Sequence, residues 1–342
     1  MRVEVKKVRF STYFAVLVIA LSFSECVLAQ DDGPRAYWKM RAGTWVVSYQ
    51  QLRLNIDAQD SQAFAPGQYI YANADVEADI FMASVGRHFT LFKRPASLMF
   101  TIAGGEVDAD ISATATPPAF LPPNVTPTGT FSQSSSGFAD PNLQLAINVY
   151  GTPPLKSTVD LLNYEPTWTV DVAAMLAFPI GEYDDDELVN LGLNRWWGRL
   201  AVPVAYHFGV FDSGHMSSIE LVPSIWLFGE NDDFLGQKLE NDPLWQLEAH
   251  LTHDFTTSFF GSLDVLYRNG FQSEINGVDV GEDLNIGDLG FTLHYQVNDN
   301  FGIRGGYSSN VFGNSDIDNG VFRIQFMYGW NKAVENAKKL TE

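Results

Sequence analysis

The chain has 342 residues, of which 18% are charged and 13% are aromatic, and its formal net charge is −20 at pH 7. This surplus of acids argues against a protein that binds nucleic acid, because phosphates require a basic surface. Beyond residue 30 no apolar run approaches the roughly 18 residues of a membrane-spanning helix. A membrane protein with this sequence therefore has to be a β-barrel.

Residues 1–29 have the pattern of a secretory signal peptide. Basic residues lie near the start, residues 13–23 form an apolar centre, and small residues precede Gln30. We predict cleavage near Ala29–Gln30 and export to the bacterial outer membrane. The one cysteine, Cys26, lies in this segment, so the mature chain has no disulfide to form. The mature chain keeps 17 basic and 39 acidic residues, a formal charge of −22.

Alternation of apolar and polar residues predicts the β-strands. In the clearest hairpin, residues 244–268, Trp245 and Leu247 fall on one face, whereas Glu248 and His250 fall on the other. Each arm has about ten residues, the length with which a tilted strand crosses a bilayer. The predicted strands are 44–55, 76–88, 95–104, 142–150, 166–178, 196–208, 217–228, 244–254, 258–268, 286–297, 300–309 and 319–330.

The connections between these strands alternate in length. The long ones are 56–75, 105–141, 179–195, 229–243, 269–285 and 310–318. The short ones are 89–94, 209–216, 255–257 and 298–299, and 151–165 is an exception. Outer-membrane barrels have short periplasmic turns, long external loops and an even number of strands. The predicted fold is therefore all-β: a transmembrane antiparallel outer-membrane β-barrel of about twelve strands over residues 44–330.

The last predicted strand ends in a recognisable pattern. Phe322, Ile324, Phe326 and Tyr328 alternate with more polar residues, and the strand closes on Trp330. This pattern resembles the signal that the outer-membrane barrel assembly machinery reads, which we therefore expect as a partner. Residues 331–342 are predicted to be a periplasmic tail.

Two segments leave alternatives open. Residues 30–43 precede the first strand and are mixed aromatic and basic, so they form either a disordered lead-in or a segment tucked into the barrel. In the longest predicted loop, 105–141, Phe120 and Leu121 stand among prolines. They either fold inward as a constriction or lie in a disordered surface loop.

Ionisable residues collect on the face opposite the apolar one. Such groups are unfavourable at membrane depth unless they face water or pair, so they either line a wet channel or hold the barrel closed by ion pairs. Candidate pairs are Asp264 with Arg304 and Asp288 with Arg323. The candidates for a role in the lumen are Asp171, Glu220, Glu248, His250, Asp264, Arg268, Asp288, His294, Arg304 and Arg323.

No catalytic site, metal site or cofactor is predicted. Glu248, His250 and Ser262 share the inward face, but no glycine-flanked serine motif accompanies them. His250 and His253 are three residues apart on a strand and face opposite ways, so they cannot share an ion.

Acidic clusters mark two external loops. Oxygen ligands at this density suit calcium, but the spacing matches no defined calcium loop. The simpler interpretation is solvated loop tips that divalent ions bridge to lipopolysaccharide. The candidates are Asp184, Asp185, Asp186, Asp232 and Asp233.

Four segments carry a family resemblance. They are RAYWKMRAGTW (35–45), SGFADPNLQLAINVYGTPPL (136–155), PIGEYDDDELVNLGLNRWW (179–197) and NDDFLGQKLENDPLWQLEAHLTHDF (231–255). Their order and spacing resemble the transporter-like outer-membrane family named for the meta-pathway of phenol degradation, over about residues 35–330. The resemblance implies a barrel that admits aromatic or other hydrophobic small molecules. It supplies no catalytic residues, and the matching Gly, Asp, Pro and Asn residues suit turns between strands.

The sequence therefore predicts passive uptake of small hydrophobic or aromatic solutes by a barrel in contact with outer-membrane lipids and lipopolysaccharide. Two other classes of protein stay open. A non-transporting structural or surface-interaction barrel predicts a plugged lumen. An outer-membrane lipid-modifying enzyme predicts that His250 is essential for turnover.

Overall fold

A computed structural model describes residues 31–65, 68–115, 128–157, 159–160, 163–187, 189–210, 214–280, 283–313 and 317–331. The predicted signal peptide, the predicted tail after Asn331 and the pair Phe120 and Leu121 lie outside the described residues. Within the described ranges, no helix has the length and apolar character needed to cross a bilayer.

The structure is built from β-strands. They are β1 (Trp45–Ala65), β2 (Gln68–Leu91), β3 (Arg94–Ala115), β4 (Thr128–Phe138), β5 (Asn142–Tyr150), β6 (Trp168–Ala177), β7 (Trp197–Ala201), β8 (Val204–Val210), β9 (His215–Phe228), β10 (Asn231–Phe234), β11 (Gln237–Asn241), β12 (Leu244–Asp254), β13 (Phe259–Gly270), β14 (Ser273–Ile275), β15 (Val278–Val280), β16 (Leu284–Gln296), β17 (Phe301–Gly313) and β18 (Ile317–Trp330).

Fourteen of these strands form one closed antiparallel sheet. β18 pairs with β1, where Trp45 lies opposite Trp330, and this pairing closes the barrel. β4 and β5 lie end to end along β3, and β7 and β8 lie end to end along β9, so the sheet is a barrel of twelve strands. The predicted fold class and strand number are therefore confirmed. The other four strands, β10, β11, β14 and β15, form a small separate sheet.

The two breaks inside barrel strands have local causes. β7 ends before Pro203, which has no N–H to continue the ladder; Val202 still donates to the Pro223 carbonyl over 3.0 Å. β4 ends before Asp140 and Pro141, where the chain dips inward and buries Asp140. Both breaks therefore bend a strand without opening the barrel.

The two ends of the barrel differ. Trp45 and Trp330 mark what we call the turn end, where short connections join β2 to β3, β12 to β13 and β16 to β17. The opposite end, the loop end, carries the small separate sheet and residues 178–196. One longer connection, 151–167, lies at the turn end, and its Leu155 carbonyl accepts a hydrogen bond of 2.8 Å from the Ala42 amide.

The outer face of the barrel is apolar. Leu200, Leu251, Leu263, Leu289 and Phe291 are all exposed, as the alternation predicts for side chains that face lipid. Aromatic side chains lie near both rims. At the turn end Trp45 stacks on Trp330 and Trp168 contacts Tyr206, and at the loop end Phe178 contacts Trp196.

The predicted loops 56–75 and 105–141 are wrong. β1 continues to Ala65, β2 begins at Gln68, β3 continues to Ala115, and β4 accounts for residues 128–138. The inner side of this extension buries Leu54, Ile56, Val76, Val107 and Ile111 against Val189 and Leu191.

Its outer face is acidic, with Asp75, Glu77 and Asp79 opposite Asp110, Asp108 and Glu106. Membrane strands are predicted from apolar residues at the outward positions. This extension has acids at those positions, so it was predicted to be loop. The alternation of acids with Val, Ala and Ile was the available signal.

Candidate functional site

The lumen is occupied by the chain's own residues 31–41, which we call the lumen segment. Of the two alternatives for the lead-in, the structure shows the tucked one. Gly33, with a φ of +78°, and Arg35, with a φ of +62°, turn the segment inside the barrel. The chain leaves the lumen at Gly43, at the turn end, where the Gly43 amide donates to the His88 carbonyl over 2.7 Å.

Arg199 on β7 fastens the start of the lumen segment. Its Nη1 lies 2.8 Å from Asp32 Oδ2, and its Nη2 lies 2.6 Å from Glu248 Oε1. The Asp32 amide donates to the other Glu248 oxygen over 2.8 Å, and Tyr37 donates to Asp32 over 2.6 Å. Arg199 and Glu248 are both buried, so each charge is compensated inside the barrel.

Arg35 and Lys39 fasten the rest of the segment. Arg35 Nη1 lies 2.7 Å from Asp254 Oδ1, and the Arg35 amide donates to Glu220 over 2.8 Å. Glu220 also accepts from Trp38 Nε1 over 3.0 Å. Lys39 Nζ lies 2.5 Å from Asp171 Oδ1. The segment is thus held by contacts with several separate barrel strands.

All the predicted lumen residues lie on the inner face of the barrel. Nine are less than a tenth exposed, and Arg323 is half-buried. Their role in transport stays a prediction. Most are engaged in the contacts that fasten the lumen segment or in ion pairs between neighbouring strands.

Neither of the two candidate ion pairs forms in the described part of the chain. Asp264 contacts His250 Nδ1 at 2.8 Å and accepts from Thr292 over 2.7 Å, not from Arg304. Asp288 pairs with Arg268 at 2.7 Å, and Arg323 pairs with Asp31 of the lumen segment. The sequence shows which face of its strand a residue occupies. It does not show how far along the barrel axis residues of different strands lie, so it could not identify these partners.

His250 is bracketed by carboxylates. Besides the contact with Asp264, its Nε2 lies 3.6 Å from Glu248 Oε2. Ser262 Oγ has no hydrogen-bond partner in the described part of the chain. Ser262 and His250 are therefore not hydrogen-bonded to each other in the described part of the chain. His253 faces outward, opposite to His250 as predicted, and contacts Ser217.

An apolar layer lies above the charged one, towards the loop end. Trp197 and Trp226 contact each other at 5.8 Å between ring centroids, and Phe228 contacts Phe271 at 5.0 Å. With Leu193, Leu244, Leu284 and Ile286 they form one buried cluster. Sequence reasoning missed this layer. The available signal was that Trp226 alternates in phase with the inward Ser224 and Glu220.

Asp140 anchors the loop that covers this layer. Its Oδ1 accepts from the Gly181 amide over 2.9 Å, and its Oδ2 accepts from the Leu193 amide over 3.0 Å and from Trp197 Nε1 over 3.2 Å. The GFADP and NLGLNRWW segments therefore meet in space, although about 50 residues separate them along the chain.

Asparagine side chains hold the rest of this cover, which we call the cap (residues 179–195 with β10, β11, β14 and β15). Asn231 donates to Tyr183 over 2.9 Å and accepts from Asn194 over 3.1 Å. Asn190 accepts from the Asp184 amide over 2.8 Å. Burial raises the pKa of Tyr183.

The acidic candidates lie on the outside of the cap. Asp184, Asp185 and Asp186 are exposed, with carboxylate oxygens within 4.8 Å of one another. Asp232 and Asp233 are exposed as well. On β11, Lys238 lies 2.9 Å from Glu230 and 2.7 Å from Glu240. Hydrogen bonds to these carboxylates raise the pKa of Lys238, and the hydrogen bond from Lys238 lowers the pKa of Glu240.

A cavity lies inside the barrel beside the lumen segment. It encloses about 40 Å³ and opens to solvent. Its apolar side is formed by Leu52, Leu54, Ile56 and Val321, and its polar side carries Asp31, Asp264, Arg268, Asp288, Asn319 and Arg323. Its two sides are complementary to a small molecule with an apolar body and one polar group, although the enclosed volume holds only a few water molecules.

Solved structures resemble the whole barrel. The COG4313 outer membrane channel from Pseudomonas putida F1 gives a TM-score of 0.66 at 13% identity, with 88% of this chain and 100% of that chain covered. The transport unit of the autotransporter AIDA-I from Escherichia coli gives 0.46 at 10% identity, with 93% and 97% covered. A Pseudomonas aeruginosa FadL homologue gives 0.32 at 9% identity, with 83% and 90% covered. The first likeness shows the fold, and the other two are too distant to show more.

No curated protein matches the chain. A family profile does match, over residues 58–315, which is more than half of the sequence. The resemblance seen in the sequence is thereby confirmed, and the chain belongs to the family described as "Putative MetA-pathway of phenol degradation".

Proposed function

We propose that this protein is an outer-membrane channel for the passive uptake of small hydrophobic or aromatic solutes. The observation that carries the proposal is the two-sided cavity, in which Leu52, Leu54 and Ile56 lie beside ionised groups. An aromatic molecule with one polar substituent gains burial of its ring and a partner for its polar group in such a space.

The lumen segment favours a channel that selects among solutes over an open pore through which they diffuse freely. Its ion pairs with Arg199, Asp254 and Asp171 hold it inside the barrel, where it narrows any aqueous path. The apolar layer with Trp197 and Trp226 adds a stretch that a strongly hydrated sugar has to cross without partners. Both features favour apolar solutes over sugars.

The test is flux through the reconstituted protein. Residues 30–342 are incorporated into liposomes, and entry of phenol or benzyl alcohol is compared with entry of a sugar of similar size. Faster entry of the aromatic solute than in empty liposomes, without sugar entry, is the expected result. Equal entry of sugar and aromatic solute would make the protein a small general pore.

A non-transporting structural barrel is the second candidate. The observation that favours it is the fastening of the lumen segment by buried ion pairs. Entry of neither solute at any protein density would support this candidate and reject the channel.

Export and membrane contacts belong to the same proposal. Cleavage near Ala29–Gln30 predicts that the membrane-inserted protein begins at Gln30, which N-terminal sequencing checks. We expect the exposed acids of the cap to bind lipopolysaccharide through divalent ions, so chelation of these ions should release bound lipopolysaccharide.

A further inference from the structure

One cation of the lumen has no counter-ion. Arg304 on β17 is 9% exposed, yet it takes part in none of the ion pairs found in the described part of the chain. Its Nε has no hydrogen-bond partner there. A buried guanidinium normally pairs or binds an anion, because leaving it unpaired is unfavourable. Arg304 therefore has donors to offer to a ligand.

Arg304 lies over the ring of Phe260, 5.9 Å from its centroid, and stands beside other polar atoms that lack hydrogen-bond partners. Along one line of cross-strand neighbours lie Ser262, Thr292, Gly306 and Arg323, and along the next lie Phe260, His294 and Arg304. Ser262 Oγ, His294 Nδ1 and Arg323 Nε lack hydrogen-bond partners within the described ranges. Four buried polar atoms without a hydrogen-bond partner in the described ranges, those of Ser262, His294, Arg304 and Arg323, thus lie in one patch of the lumen wall.

Gly33 of the lumen segment faces the same patch. A Cβ at this position would stand 3.3 Å from Arg304 Nη1 and 3.5 Å from Arg323 Nη1. The two guanidinium groups therefore flank the small space beside Gly33, which is too tight for a Cβ unless Arg304 shifts. Arg323 is the cross-strand neighbour of Leu52, so this space borders the apolar side of the cavity.

One of the two arginines is already paired with a carboxylate. Asp31 of the lumen segment is paired with Arg323, and Arg304 is left without a carboxylate. The Asp31 carboxylate shows what chemistry the patch accepts, since a planar guanidinium binds a carboxylate through paired N–H donors.

We propose that Arg304 and Arg323 form a carboxylate-binding subsite and that the solutes selected by this channel are small amphipathic monocarboxylates. The solute carboxylate binds Arg304 and competes with Asp31 for Arg323, while its apolar body lies along Leu52, Leu54 and Val321. This inference rests on the proposed function and narrows its substrate class from small hydrophobic or aromatic solutes to those that carry one carboxylate.

Binding and flux test the subsite separately. Phenylacetate and its neutral analogue phenylethanol are titrated calorimetrically into the full mature protein in detergent, and their entry into liposomes is measured in parallel. The variant is Arg304→Gln, and the matched control is Arg53→Gln, which removes the same charge from the exposed outer face of β1. A shift in apparent size on boiling before gel electrophoresis checks that each variant forms the barrel.

The expected result is a loss of phenylacetate affinity of about tenfold or more in Arg304→Gln, the size of one lost charge-assisted contact. Binding of phenylethanol stays as in the parent protein, and Arg53→Gln matches the parent protein for both ligands. Arg304→Lys keeps the charge and recovers part of the affinity. Equal binding of phenylacetate to the parent and to Arg304→Gln, or equal losses for acid and alcohol, overturns the proposal.

A second variant covers the case in which Arg304→Gln does not fold. Asp31→Asn removes the competing carboxylate from Arg323, so phenylacetate should bind more tightly, and unchanged affinity would contradict the subsite. Affinity that depends on Arg304 without entry of either ligand into liposomes would reject the channel and keep the subsite. Entry of both ligands at rates that do not depend on Arg304 would reject the subsite and keep the channel.

Discussion

The contact between Lys39 and Asp171 is the sharpest test of how the lumen is closed. The two side chains are 10% and 2% exposed, and Nζ lies 2.5 Å from Oδ1. Replacing Lys39 by Met removes the cation and leaves the Asp171 carboxylate buried on β6 without its counter-ion. Removing one partner of a buried ion pair costs about 3–5 kcal/mol.

Most of this cost should appear as release of the lumen segment. The barrel is closed by the backbone pairing of β18 with β1, which Lys39→Met does not touch. Withdrawal of the segment lets water reach Asp171 and relieves the penalty. At 1.4 kcal/mol per factor of ten, the ratio of released to seated segment should rise roughly 100-fold to 1,000-fold.

Single-channel conductance in planar bilayers measures this release directly. We expect Lys39→Met to show frequent large openings that the parent protein lacks. The double variant Lys39→Met with Asp171→Asn removes the uncompensated charge and should restore most of the closed time. Identical conductance in the parent and Lys39→Met would refute the reasoning, as would a double variant that opens as often as the single one.

Three further predictions concern other parts of the molecule. Asp140→Ala leaves three donors without their acceptor, which should destabilise the cap by at least about 1.5–3 kcal/mol. Hydrogen exchange of the amides in residues 179–195 should therefore be faster, and unchanged exchange would show that Asp140 does not anchor the cap. Leu263→Arg places a charge on the lipid face and should lower the free energy of barrel unfolding by about 2–4 kcal/mol. Urea titration in lipid vesicles measures this change, and an unchanged unfolding midpoint would show that Leu263 does not face the bilayer core. The pKa of Glu240 is lowered from 4.5 by Lys238, so its contribution to the small sheet is complete above pH 4.5 and is lost as the pH falls through the lowered value. Protection of the β11 amides, taken relative to their intrinsic exchange rate at each pH, should therefore decrease at low pH, and equal protection at low and neutral pH would contradict this.

The sequence by itself determined the barrel, its strand count and the inner and outer faces of most strands. These follow from alternation with a period of two, which is a local property that any stretch of about ten residues displays. The hairpin of β12 and β13 shows this, since Trp245 and Leu247 face outward and Glu248 and His250 face inward as predicted. The family followed from segments that meet around Asp140 and the cap.

Only the tertiary structure decided what fills the lumen. The lumen segment has no strand periodicity, so nothing local distinguishes a tucked segment from a disordered one. Asp31 meets Arg323 across almost the whole chain, and their contact depends on closure of β18 on β1. The partners of Asp264 and Asp288 depend likewise on the register between β13, β16 and neighbouring strands. Alternation says which way a side chain faces, but its height in the barrel is set by the pairing of every strand with its neighbours.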